Sequence, residues 1–353
     1  MEVEHNQLSM VIKQCYKSRE PLFIHGTIGI GKSDTIRRVA KTIAKDLKRE
    51  FTEDDIENGK FGFVDIRISQ LDSSDLRGLP RLDGDTTRWL PPSWLPKNQG
   101  GVGILFFDEM NLAPPSIQAS AYQLILDRRL GDYKLPPGWV IIAAGNRVED
   151  RANVFEMSAP LKNRFAHTTL KIPSIESWKE WALDNAVDNR VVAFLCFKPT
   201  YLFKFDEDST EHAFPTPRSW NKASNLVNGI TNEEMLSVLI SAQVGEAASI
   251  EFVAFDKLSK KINLDNILKN PEQAKNVTDI GLKYSLVSGI AEKYRQNEKV
   301  LGNAVSVCKF IEPEFAVFLL RMLKSSNRGH FKNNVTKAVD WKLLVKQYSK
   351  YLH

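Results

Sequence analysis

The sequence predicts an α/β fold: a mostly parallel, five-stranded sheet covered by helices on both faces, followed by a region that is helical throughout. Two observations carry this expectation. Five apolar runs, LFIHG, FGFVDIRI, GILFF, WVIIAAG and HTTLKI, are spread over the first 172 residues with helical stretches between them, and strands alternating with helices close into a parallel sheet buried on both sides. From Pro173 onward the strand signals fade, and SIESWKEWALDN, RSWNKASNLVNGI and NEEMLSVLISAQVG carry apolar residues at helical spacing.

Taken in order, residues 7 to 18 read as a short lead-in helix, and Pro21 introduces the buried strand LFIHG, which ends in glycine. Ser33 to Glu50 reads as a long helix with Ile36, Val39, Ala40, Ile43 and Leu47 on one stripe, and FGFVDIRI at 61–68 as the next strand. Residues 71–100, rich in Asp, Pro, Gly and Trp, interrupt the alternation before the three remaining strands. Beyond residue 254 the chain continues as helix-forming segments, broken near Asn270-Pro271 and at Ser325 to Gly329. The expected organisation is a lead-in helix over 1–18, an α/β domain over 19–172 with an insert at 71–100, a helical domain over 173–254 and a helical extension over 255–353.

Composition narrows the class. The chain has 353 residues, 42% hydrophobic and 26% charged, values typical of soluble globular proteins. The start, MEVEHNQLSM, lacks a basic and an apolar leader region, and no apolar run approaches the roughly 20 residues a membrane span needs, so a cytoplasmic protein with no membrane span is expected. Cys15, Cys196 and Cys308 are scattered and suggest buried thiols, with neither a disulfide framework nor a zinc site. A net charge of +5 does not by itself imply nucleic-acid binding. The tail is more basic: Lys324, Arg328, Lys332, Lys337, Lys342, Lys346 and Lys350 face one acid, Asp340, with Phe331, Trp341, Tyr348 and Tyr351 interleaved. That pattern fits either a nucleic-acid surface or a terminal helix that packs Trp341, Leu344, Val345 and Tyr348 inward and leaves its lysines wet.

The chemistry-bearing residues cluster at strand ends. Gly26, Thr27, Ile28, Gly29, Ile30, Gly31, Lys32 and Ser33, followed by Asp34, fit the Walker A pattern between a strand and a helix. The glycines let backbone N–H groups converge on phosphate, and the helix adds its positive end. Lys32 is expected on the β- and γ-phosphates of a bound nucleotide and Ser33 on Mg²⁺. His25 reads as packing or loop support. GILFFDEMN ends an apolar strand in two acids, a Walker B arrangement, with Asp108 beside the metal and Glu109 as the base that polarises water. WVIIAAGN delivers Asn146 to the same edge, where its amide can orient water; alone, an Asn after Gly is more often a turn residue.

The motifs HGTIGIGKS, DLRGLP, ILFFDEMN, LDRRLG, IIAAGN, LKNRF and FPTPRSW, in this order, resemble those of the AAA+ superfamily of P-loop ATPases, and within it the MoxR-like and dynein-related clade that includes midasin. The resemblance covers residues 19 to about 250. It implies ATP and Mg²⁺ as cofactors, Asn146 as sensor 1, Arg164 of LKNRF as an arginine finger and Arg218 of FPTPRSW as sensor 2, although each arginine by itself reads as a surface or ion-pair residue. A finger donated by a neighbour implies a head-to-tail homo-oligomer, in this family usually a hexameric ring. The helical domain over 173–254 becomes the family's lid, preceded by an extra helix in RVVAFLCFKPTYLFKF. Residues 71–100 resemble the clade's hairpin insert, with Arg81, Arg88 and Trp89 as candidate client contacts. LDRRLGDYKLP resembles the hairpin before sensor 1, with Arg128, Arg129 and Lys134. The implied activity is ATP hydrolysis that remodels a protein client, possible partners including a von Willebrand factor A domain protein. A nucleic-acid motor or loader and a non-hydrolytic nucleotide-dependent scaffold are the alternatives.

Overall fold

Strands form where the apolar runs were read. The computed structural model describes residues 1–56, 59–147, 154–206 and 211–348, so Lys350 and Tyr351 of the basic tail lie outside the described residues. The chain divides into two units, Met1–Pro173 and Ser174–His353.

The first unit is built on a seven-stranded sheet. Its strands are β1 (Glu2–Val3), β2 (Leu22–His25), β3 (Phe51–Thr52), β4 (Phe61–Arg67), β7 (Val102–Asp108), β10 (Gly138–Gly145) and β11 (Ala166–Leu170), in spatial order β1-β11-β2-β10-β7-β4-β3. Every neighbouring pair is parallel. The five runs legible in the sequence are the five central strands. The expected count of five is corrected to seven by β1 and β3, which are two residues each and too short to show a period.

Helix α1 (His5–Ser18) and α2 (Lys32–Asp46) pack together against the sheet. On the other face Leu105, Phe107, Ile141 and Ala143 share a core with Leu124 and Ile125 of α4 (Pro115–Asp127) and Leu76 of the short α3 (Ser73–Arg77). Successive strand residues point to opposite faces, so unbroken apolar runs are what a sheet covered on both sides requires. Burying each such side chain contributes about 1.5–3 kcal/mol. Helix α2 ends at Asp46, short of the expected Glu50, because Lys48 turns into the left-handed region at φ 54°. The insert at 71–100 contains the antiparallel hairpin β5 (Leu79–Asp83) and β6 (Thr86–Leu90), exposed along its length, with Arg88 paired to Asp83 at 2.9 Å. A smaller hairpin, β8 (Arg129–Leu130) with β9 (Tyr133–Lys134), precedes β10.

The second unit is helical. Ser174, Asp188, Thr216 and Asn232 cap α6 (Ile175–Asp184), α7 (Asn189–Phe197), α8 (Pro217–Val227) and α9 (Glu233–Val244) through their side chains, each cap contributing about 1 kcal/mol. One core joins Trp178, Phe194, Trp220 and Phe252 to Tyr294, Phe315, Leu319, Leu344 and Tyr348, so the segments divided at residue 254 share their interior. Breaks fall where the sequence marks them: a helix ends at Lys269 before Asn270-Pro271, and Asn327 separates Pro313–Ser326 from Arg328–Asn334. The last helix, Trp341–Tyr348, buries Leu344 and Tyr348 and leaves Lys342 and Lys346 exposed, the packed alternative for the tail. Cys15 and Cys308 are buried and Cys196 partly so; burial pushes the Cys196 thiol up to about 12. Among the described residues no helix is long and apolar enough to cross a membrane.

Candidate active site

The carboxyl ends of β2, β4, β7 and β10 face one edge of the sheet, the edge at which open α/β sheets present their ligand sites. Between β2 and α2 the chain runs through Gly26–Gly31, with Gly29 and Gly31 at φ 71° and 91°. Only glycine adopts such angles freely, and they let the loop turn back on the start of α2. Lys32, the first residue of α2, is 8% exposed, and its Nζ donates to the Gly26 carbonyl at 2.6 Å, the Thr27 carbonyl at 2.9 Å and Asn146 Oδ1 at 3.1 Å. The ammonium is thus centred on the loop. Asp34 lies exposed in the first helical turn, where an acid favours the helix dipole.

Ser33 Oγ donates to Asp108 Oδ2 at 2.8 Å, while Asp108 Oδ1 accepts from the Glu109 backbone N–H at 3.0 Å. A hydroxyl and a carboxylate this close form the kind of oxygen pair that holds Mg²⁺ together with phosphate and water. Among the described residues no cluster of three or more His, Cys, Asp or Glu side chains is arranged to hold a metal by itself. Glu109 sits at φ 54°, ψ 34°, a left-handed conformation costing a non-glycine residue about 1–2 kcal/mol. Its carboxylate accepts from Ser69 Oγ at 3.2 Å.

Asn146 follows β10. Its Oδ1 is taken by Lys32, and its backbone is held by Asn111: Asn111 Nδ2 donates to the Asn146 carbonyl at 2.7 Å, and the Asn146 N–H donates to Asn111 Oδ1 at 3.1 Å. Five of the expected residues, Lys32, Ser33, Asp108, Glu109 and Asn146, therefore meet at one edge.

The arginines differ. Arg164 lies two residues beyond α5 (Ala159–Lys162), exposed, and among the described residues its guanidinium has no hydrogen-bond or ion-pair partner. Arg218 belongs to the second unit, exposed as the second residue of α8.

Sequence reasoning missed four supporting residues. Ser69 could have been found by counting just past FGFVDIRI to the same edge, and Asn111 by noticing a third polar residue after Asp108 and Glu109. His5 had no signal; its Nε2 donates to the Ile30 carbonyl at 2.9 Å at the loop tip. Asp65 of β4 has its carboxyl raised above the ordinary range, first by burial and then by the Asp108 charge, with Arg37 at 3.1 Å opposing. Of the two readings offered for His25, packing is what the structure shows: its ring stacks on His167 of β11, with Nε2 3.1 Å from His167 Nδ1.

No curated protein sequence matches the chain. Solved structures that resemble it include a point mutant of RuvB from Thermotoga maritima, at 14% identity, 75% of this chain, 80% of that one and a TM-score of 0.36. Another is NtrX from Brucella abortus in complex with ATP, at 16% identity, 83% of this chain, 64% of that one and a TM-score of 0.40. Residues 21–165 match the family model of the AAA domain (dynein-related subfamily).

Proposed function

We propose that this chain is a MoxR-like AAA+ ATPase of the cytoplasm that hydrolyses ATP in a head-to-tail ring, hexameric as is usual for the family, to remodel a protein client. The observation that carries the reading is the Ser33–Asp108 hydrogen bond at 2.8 Å with Lys32, Glu109 and Asn146 around it. A binding module needs a phosphate loop; a carboxylate held strained beside the metal oxygens serves hydrolysis.

In this proposal the N–H groups of Gly26–Ser33 cradle the phosphates, and Lys32 exchanges loop carbonyls for phosphoryl oxygens. Ser33 and Asp108 would hold Mg²⁺, which neutralises charge between the β- and γ-phosphates. Glu109 accepts the proton of the attacking water once Ser69 yields its hydrogen bond, and Asn146 orients that water or the γ-phosphate through its amide N–H₂. Arg164 acts on a neighbour's nucleotide, and Arg218 on its own or a neighbour's. Residues 173–254 serve as the lid and 255–353 extend it. The exposed β5–β6 hairpin contacts the client, with Arg129 and Lys134 of the half-buried β8–β9 hairpin beside it, and a protein with a von Willebrand factor A domain is the partner class implied by resemblance.

The test is phosphate release with Mg²⁺ and ATP. Steady turnover by the wild type, unchanged by single- or double-stranded DNA, supports a protein remodeller. Stimulation by DNA that fades steeply with salt would favour a nucleic-acid motor. Tight ATP binding without turnover in the assembled protein would favour a scaffold. The Glu109→Gln form, pulled down in ATP, should retain the client.

A further inference from the structure

We infer that Asn111 is a positioning residue for hydrolysis: it locks the backbone of Asn146 so that the Asn146 side chain stands between Lys32 and the reacting phosphate. The inference rests on the ATPase reading above and deepens it.

Asn111 is 4% exposed and lies in the short turn after Glu109. Its amide meets both main-chain groups of Asn146, donating to the carbonyl at 2.7 Å and accepting from the N–H at 3.1 Å. The two bonds are complementary, so they fix which end of the amide is oxygen and which nitrogen. A buried amide with both ends matched holds the chain after β10 in one place, where sheet hydrogen bonds no longer do.

The neighbouring residue fits the same purpose. A Cβ at Gly145 would stand 2.3 Å from Asn111 Oδ1 and 2.8 Å from Phe23 Cζ, so only glycine lets the Asn111 amide approach. Outward from this clamp, Asn146 Oδ1 accepts from Lys32 Nζ at 3.1 Å. That bond turns the amide N–H₂ away from the lysine; among the described residues it donates to no protein group, which leaves it for a phosphoryl oxygen or water. In the other direction the Asn111 carbonyl accepts the Phe155 N–H at 2.8 Å, joining the clamp to the stretch that leads to Arg164. Asn111 therefore ties together the strand end bearing Asp108 and Glu109, the strand end bearing Asn146, and the approach to the finger.

Asn111→Asp tests this without changing size. It keeps the acceptor for the Asn146 N–H and sets an oxygen against the Asn146 carbonyl. ATP affinity should stay within about twofold while kcat falls roughly tenfold or more, since misplacing a group in the transition state costs rate. In the Asn146→Ala background the same change should lower kcat by less than about twofold, because the side chain being positioned is gone. Gly145→Ala should reproduce the kcat loss. An equal loss in both backgrounds, or a loss confined to affinity, would overturn the inference. A readout independent of turnover is hydrogen exchange of the Asn146 amide, measured in Asn111→Ala, which removes both bonds. Exchange there should quicken at least about tenfold while the amides of Trp139–Ala144 keep their protection; unchanged exchange at Asn146 would sink the idea even if the wild type proved inactive, whereas inactivity of the wild type alone would overturn only the ATPase reading.

Discussion

The sheet edge and the turn carrying Arg164 both hold charged side chains, yet they are built in opposite ways. At the edge Lys32 has three acceptors within 3.1 Å, Ser33 bonds Asp108, and Ser69 bonds Glu109. At the end of α5, Lys162 pairs with Glu156 at 2.7 Å, but Arg164, two residues on, stands exposed and without a partner among the described residues. A cation held by buried acceptors is positioned for chemistry inside its own chain, because the acceptors cancel most of its desolvation cost. An exposed guanidinium gains nothing from its own chain and is available to a second one. In the proposed site, therefore, Lys32, Ser33, Asp108, Glu109 and Asn146 come together within one chain, and Arg164 is the residue assigned to a neighbour's nucleotide.

Removing the central cation of the tied region gives the largest expected effect. Lys32→Ala should weaken ATP binding by about 3 kcal/mol or more, over a hundredfold, since it deletes the cation aimed at the phosphates; calorimetry checks it, and wild-type affinity would break the assignment. Glu109→Gln keeps shape and the Ser69 contact but removes the base. ATP affinity should persist and kcat should drop by about 10²–10⁴.

For the outward region, Arg164→Ala should leave ATP affinity and folding unchanged and lower kcat by about 10³. The sharper measurement mixes it with Glu109→Gln under conditions of subunit exchange. An Arg164→Ala subunit keeps Glu109 and can face a neighbour that still has Arg164, so roughly a quarter of head-to-tail interfaces are intact at equal mixing. Phosphate release should peak near that ratio. No recovery despite proven exchange would mean that Arg164 serves its own chain's site or none, and the contrast between the two regions would lose its functional meaning.

How much of this was legible follows from the same contrast. The five central strands were readable because burial on both faces forces unbroken apolar runs such as ILFF and WVIIAA. The residues at their ends were readable because a motif fixes position: Lys32, Ser33, Asp108, Glu109 and Asn146 follow their strands by counting. Ser69 and Asn111 escaped because a serine or asparagine after a strand is commonplace, and only tertiary pairing across 40 and 35 residues gives them meaning. Arg164 was nameable only through resemblance, since nothing in its own chain selects it. The edge strands β1 and β3 were invisible at two residues each. The shared core of residues 178–348 was not readable either, because helical periodicity shows that each helix buries a face without showing against what.

The smallest expected effect tests how far the tied region extends, and it concerns His5 at the start of α1. The Ile30 carbonyl can only accept, so His5 Nε2 carries the proton, and Nδ1 is left as a buried acceptor with no partner among the described residues. A second proton there would be a buried donor without an acceptor, which is costly. Accordingly the His5 pKa lies below 6.5, chiefly through burial, with Arg38 adding to the shift and the Ile30 carbonyl, Glu4 and Asp34 opposing it. The unfolded chain then binds this proton more readily than the folded one, so the contribution of neutral His5 is present above the unfolded pKa and is lost as pH falls through the folded value. His5→Gln keeps a donor for Ile30 and removes the titration. Between pH 7.5 and pH 5.5 the urea midpoint of the wild type should therefore fall further than that of His5→Gln. Parallel falls would show that His5 is already hydrated, and that the tied region stops at the phosphate loop.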